Sequence, residues 1–269
     1  MTRTTTRAWP SARGLGLSLG LIAAACFGCG AEPDSSAPIG NAAGTGGTAS
    51  VPAGPQPINP LGRARCSPPP GTTGSPGSIE EAVALLNALP KPTSAACFVE
   101  SLDRPLTAYA TSSPFSAQPA LSARSPRIFL KLSRLWVSIV IDGESSYLLE
   151  FSYLLPDELR SIKAEVATPV EQPLAPSAPY DRVLFGSGTL CGLCHYGEEP
   201  APGIDFAKAF ASIPFRPRPE TRVNLLNLAE GARSCDWNLE PHRCDMLSAL
   251  FDEGPITEEP FPTEMPTFF

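Results

Sequence analysis

Apolar residues change their spacing four times along this chain, and each regime predicts a different kind of segment. The first is the unbroken run Leu15–Ala25, preceded by Arg3, Arg7 and Arg13 and by no acidic residue before Glu32. A run this short falls below the about 20 residues needed to cross a bilayer. A basic stretch followed by a short apolar one reads as a secretory signal over residues 1–25. The second regime, residues 26–77, is rich in Gly, Ala, Pro, Ser and Thr and has few large apolar side chains. Such a segment cannot bury enough surface to offset its ordering entropy and reads as a flexible tether.

Helical spacing begins at Ile79, Val83, Leu86 and Leu89, and predicts a helix over Ser78–Leu89. Ser78 and Glu81 form a capping box at its start, and Pro90 and Pro92 end it. The pattern then becomes strand-like over residues 127–132, 135–141, 146–153 and 161–166, with Asp142-Gly143 as a hairpin signal between the second and third. In the fourth run Ile162, Ala164 and Val166 share one face and Lys163 and Glu165 the other. These runs predict an antiparallel meander buried mostly on one side. A further extended piece is expected over residues 206–213. A last helix is expected over residues 241–252, with Cys244, Leu247 and Phe251 as its apolar stripe and Gly254 closing it. The predicted fold class is α+β: one domain over residues 78–253, with an antiparallel, meander or sandwich-like core and a few flanking helices. An acidic, proline-rich tail over residues 254–269 is expected to be irregular.

Charge narrows the partners. The chain carries 20 Lys+Arg against 27 Asp+Glu, a net charge of −7. Without the three signal arginines the balance is 17 against 27. That sign argues against nucleic acid as a partner. Motifs for a P-loop, a zinc protease or a serine hydrolase are missing, and two histidines leave little material for acid–base catalysis. An electron carrier or a binding protein is expected rather than an enzyme.

Eight cysteines divide by position. Cys26, in Ala24-Ala25-Cys26, and Cys29, in Gly28-Cys29-Gly30, follow the signal. This arrangement resembles the lipobox of bacterial lipoproteins, in which a cysteine after small residues is acylated and becomes the new N-terminus. The resemblance implies a lipid anchor on Cys26, or on Cys29 as the alternative. The protein would then sit at the cell envelope, facing the periplasm or the cell surface. The other six are Cys66, Cys97, Cys191, Cys194, Cys235 and Cys244. In an oxidising compartment an even count implies disulfides or a metal site. Proximity in sequence favours Cys66–Cys97 and Cys235–Cys244.

The remaining pair stands in Cys191-Gly-Leu-Cys194-His195. C-x-x-C-H is the spacing of covalent haem attachment, in which two thiols add to the haem vinyl groups and the adjacent imidazole binds the iron. The chain resembles c-type cytochromes over these five residues, and the resemblance implies a covalent haem c with His195 as proximal ligand. Met246 and His242, one turn apart on the last expected helix, are the candidate distal ligands. Three other readings share the motif: a Cys191–Cys194 disulfide, a redox-active thiol pair, and a zinc site built with Cys235 and Cys244. The functional expectation is a monohaem electron-transfer or redox-sensing lipoprotein with a redox partner protein. The alternative is a cofactor-free, disulfide-stabilised envelope protein that binds or supports.

Overall fold

A computed structural model describes residues 61–156 and 159–267, with the backbone of a short strand at residues 50–51. The expected signal, both candidate lipidation cysteines and most of the expected tether lie outside the described residues. In chain order the elements begin with β1 (Ser50–Val51), α1 (Ile79–Ala88) and α2 (Ala95–Glu100). The meander strands are β2 (Leu106–Thr111), β3 (Arg127–Leu132), β4 (Leu135–Val140), β5 (Leu148–Leu154) and β6 (Ser161–Ala167). Short elements follow: α3 (Ala178–Asp181), β7 (Leu184–Phe185), β8 (Gly188–Thr189), β9 (Glu199–Pro200), β10 (Phe210–Ser212) and β11 (Arg222–Val223). The chain closes with α4 (Leu225–Arg233), α5 (Pro241–Phe251) and β12 (Ile256–Glu258).

The fold is α+β. One ten-stranded sheet runs β1-β12-β2-β3-β4-β5-β6-β10-β9, with β11 also paired to β2, and β7 and β8 form a separate hairpin. Every pairing in the large sheet is antiparallel except β12 with β2. Strand runs read from the sequence lie close to the observed β3, β4 and β6. The turn between β3 and β4 is only two residues, and Ser133 takes the left-handed conformation there (φ 60°). The Asp142-Gly143 turn is longer than a two-residue hairpin: Ser146 and Leu148 hydrogen-bond back to Gly143 and Ser145, and β5 starts at Leu148.

The N-terminal cap of α1 is offset from the standard capping box by one residue. Ser78 Oγ accepts from the Glu81 amide at 3.2 Å, but the Glu81 carboxylate accepts from Gly77 instead of Ser78. The buried residues of α1 join those of α2, α4 and α5 on one face of the sheet. There the in-register row Ala108, Leu130, Val137, Phe151 and Ala164 crosses five strands. Phe98 of α2 meets Phe151 edge to face, with centroids 6.3 Å apart. Two disulfides hold this layer, Cys66–Cys97 and Cys235–Cys244, the pairs favoured by sequence proximity. The first draws residues 61–77 onto the domain, helped by Arg63, which pairs with both Glu100 and Asp245.

The other face of the sheet is covered too, which the one-sided meander does not anticipate. All six residues of β4 are buried. Two segments cover it: Gln118, before β3, accepts from Ser138 Oγ at 2.7 Å, and the tail turns back after β12 to place Phe261 against Trp136, stacked at 4.4 Å, and against Tyr109 and Phe129 edge to face. The acidic, proline-rich tail is therefore part of the fold. Its strand pairs with β2, and its aromatic ring covers Tyr109, Phe129 and Trp136 on the second face. Among the described residues no helix is long and apolar enough to cross a membrane.

Candidate functional site

The second face of the sheet carries a polar strip. Arg127 of β3, Ser138 of β4, Glu150 and Ser152 of β5, and Lys163 and Glu165 of β6 alternate out from the apolar row. Arg127 is tied to Ser138, Ser116 and Glu150, and Lys163 donates to Ser152 Oγ at 2.9 Å. Above this strip runs the segment from Val183 to Pro217, which contains the C-x-x-C-H motif. Between strip and segment is a cavity of about 190 Å³ that opens to solvent. That is smaller than the ~300–1,000 Å³ typical of drug-sized ligand and cofactor pockets, so a larger group would extend out of its mouth.

The motif is folded as a short 3-10 turn, Cys191–Leu193, continued by the hydrogen bond from the His195 amide to the Cys191 carbonyl at 2.8 Å. Glu198 clamps it. Its carboxylate accepts from the Thr189 amide at 2.9 Å and from the Thr189 hydroxyl, and Thr189 Oγ1 in turn accepts from the Gly192 amide at 3.2 Å. Gly192 sits so close that an added Cβ would lie 2.8 Å from Glu198 Oε2. Glu199 points elsewhere and pairs with Arg160.

Cys191 and Cys194 are free thiols, and both line the cavity with His195. Burial raises the Cys191 thiol, so it stays protonated at neutral pH. His195 is half-buried. Its Nδ1 lies 2.8 Å from the Ile213 carbonyl oxygen. A carbonyl can only accept, so Nδ1 carries the hydrogen and Nε2 keeps its lone pair. Burial, together with the positive charges of Lys163 and Arg127, lowers the imidazole to about 3. The ring is therefore neutral at any physiological pH and fit to bind a metal. Metal-binding histidines commonly use this arrangement, in which one nitrogen is fixed by a carbonyl and the other left to the metal.

The structure brings Cys191, Cys194 and His195 together and leaves the two candidate distal ligands apart from them. Met246 is buried in the helix-side core, with the sheet between it and the cavity. His242, at the start of α5, does not line the cavity either. The Cys235–Cys244 bond takes those sulfurs from any zinc set with Cys191 and Cys194. No cluster of three or more metal-binding side chains occurs among the described residues.

A different methionine reaches the cavity. Met265, from the tail, is buried and lines it. It is fixed by the same strap that fixes His195. Ile213 receives the His195 hydrogen bond, while Arg216 binds the tail through its amide to Pro266 at 2.9 Å and through Nε to the Met265 carbonyl at 2.7 Å. Three residue steps separate the two anchor points, so their Cα atoms are at most about 11 Å apart. Spacing alone gave no reason to connect residue 265 with residue 195, because the link is the return of the tail across the sheet. Compared with protein-family models, with characterised proteins and with solved structures, the chain matches none.

Proposed function

We propose that this protein is an exported c-type haem protein, anchored by an acylated Cys26 (or Cys29), that transfers electrons or senses redox state at the cell envelope. The observation that carries the reading is the His195 hydrogen bond to Ile213, which presents a neutral imidazole in a cavity lined by both motif thiols. Each thiol adds across a vinyl C=C: a C–S bond forms and the thiol hydrogen passes to the neighbouring carbon, with no net oxidant or reductant consumed. Cys191 and Cys194 would hold the haem in this way, and His195 Nε2 would supply its nitrogen ligand. A bound haem supplies a one-electron couple. Trp136 and Phe129 on the sheet, Phe261 on the tail and Phe215 beside Pro214 would give it an aromatic wall.

In this reading Met265, the thioether that lines the cavity, would be the second ligand, in place of Met246 or His242. His/Met ligation raises a haem potential, which suits a carrier accepting electrons from a partner protein. The exposed apolar side chains beside the motif, Leu190, Leu193 and Tyr196, supply a docking rim for that partner.

The test is the absorbance spectrum of the full chain produced with the haem-attachment machinery. A Soret band that survives denaturation and acid–acetone extraction is expected, with a low-spin spectrum that becomes high-spin in Met265→Ala and stays unchanged in Met246→Leu. A protein with no Soret band, carrying a Cys191–Cys194 disulfide, is the cofactor-free envelope protein instead.

A further inference from the structure

The cavity holds more positive charge than negative, in a chain whose net charge is −7. Four of its lining residues are cationic and two are acidic. Arg127 pairs with Glu150 and Arg182 with Glu165, and Glu150 also favours the Lys163 ammonium through space without a direct contact. Lys163 and Arg216 remain, and neither has a carboxylate partner among the described residues. Lys163 is buried, with Ser152 Oγ 2.9 Å from its ammonium. Arg216 uses Nε on the Met265 carbonyl.

Burying an ammonium that shares its only nearby carboxylate with an arginine is costly, and a chain with an acidic excess has carboxylates to spare. We infer that the cavity is built for an anionic ligand whose carboxylates are met by Lys163 on the floor and Arg216 at the strap. The inference rests on the haem reading in one respect only, the source of the carboxylates. The two propionates of a haem are one source, and a free organic carboxylate is the other.

The experiment uses the full chain with Cys191→Ala and Cys194→Ala, made without haem, and two further variants of it, Lys163→Met and Arg216→Met. Circular dichroism establishes that each is folded. Arg216, half-buried at the strap, provides a variant that does not disturb the sheet floor. Three probes are titrated at constant ionic strength: haemin, haemin dimethyl ester and benzoate. Haemin is expected to bind at least about tenfold more tightly than its ester, as for a lost charge-assisted hydrogen bond. That ratio is expected to fall toward one in Lys163→Met and in Arg216→Met. Such a result assigns the carboxylates to haem. Benzoate binding that depends on Lys163, with no binding of either porphyrin, keeps the anion site and removes the haem reading. Equal binding of haemin and its ester in every variant overturns the anion site and leaves haem attachment standing. No binding of any probe by a folded protein overturns the inference.

Discussion

Gly192 lies inside the motif, where a side chain has no room. Its Cβ position falls against the carboxylate that holds Thr189, so Gly192→Ala displaces Glu198 and loosens the turn that presents both thiols. Thermal melts are expected to show Gly192→Ala and Glu198→Ala each destabilised, with the double variant no worse than Glu198→Ala alone, since both act on one contact. Additive losses would mean that the two residues act separately. Lys163 gives a pH signature. Burial, the largest influence, lowers its ammonium to about 8, against 10.5 in the unfolded chain. Arg127 pushes in the same direction, while Cys191 and Glu150 oppose it. Between these values the unfolded chain binds a proton that the folded chain does not. This increment of stability is therefore present above pH 10.5 and is lost as pH falls through 8. Urea unfolding of the haem-free chain at pH 7.5 and 10.5 is expected to show that gain, and Lys163→Met to lack it. An equal gain in the variant would assign the effect to other groups.

The two disulfides differ in what they constrain at the level of elements. Cys66–Cys97 closes 31 residues and ties the end of the tether to α2, whereas Cys235–Cys244 closes nine and joins the α4 end to α5. Loop-closure entropy assigns them about 3.7 and about 2.6 kcal/mol respectively. Replacing Cys66 and Cys97 with Ser is thus expected to lower the unfolding free energy more than replacing Cys235 and Cys244, by denaturant titration. The reverse order would show that the α4–α5 junction carries strain relief that loop length does not describe. The sequence made some elements plain and hid others for a common reason. α1, β3, β4, β6 and α5 have an apolar period of their own. α2, with only six residues, and β2, followed by a proline- and serine-rich loop, have too few positions to show one. α4 and β12 depend on partners far away in sequence. The same limit applied at the site. Cys191, Cys194 and His195 were legible as a local motif. Met265 and the Ile213 carbonyl enter only because the tail and strap fold back over the second face of the sheet.

The whole molecule is a sheet with two differently covered faces. One face buries a dry core under four helices and two disulfides. The other buries charged and polar groups beneath a motif loop, a strap and a returning tail. The first holds the larger apolar core, and the second, with its smaller aromatic cluster, leaves a solvent-open cavity with two free thiols and a neutral imidazole at its wall. Intact mass spectrometry of the full chain, produced with the haem-attachment machinery and run under denaturing conditions, tests the account most directly. The account predicts a gain of one haem mass, lost together in Cys191→Ala/Cys194→Ala. A chain that keeps its own mass less two hydrogens for a Cys191–Cys194 bond, beyond those of the other two disulfides, would contradict it.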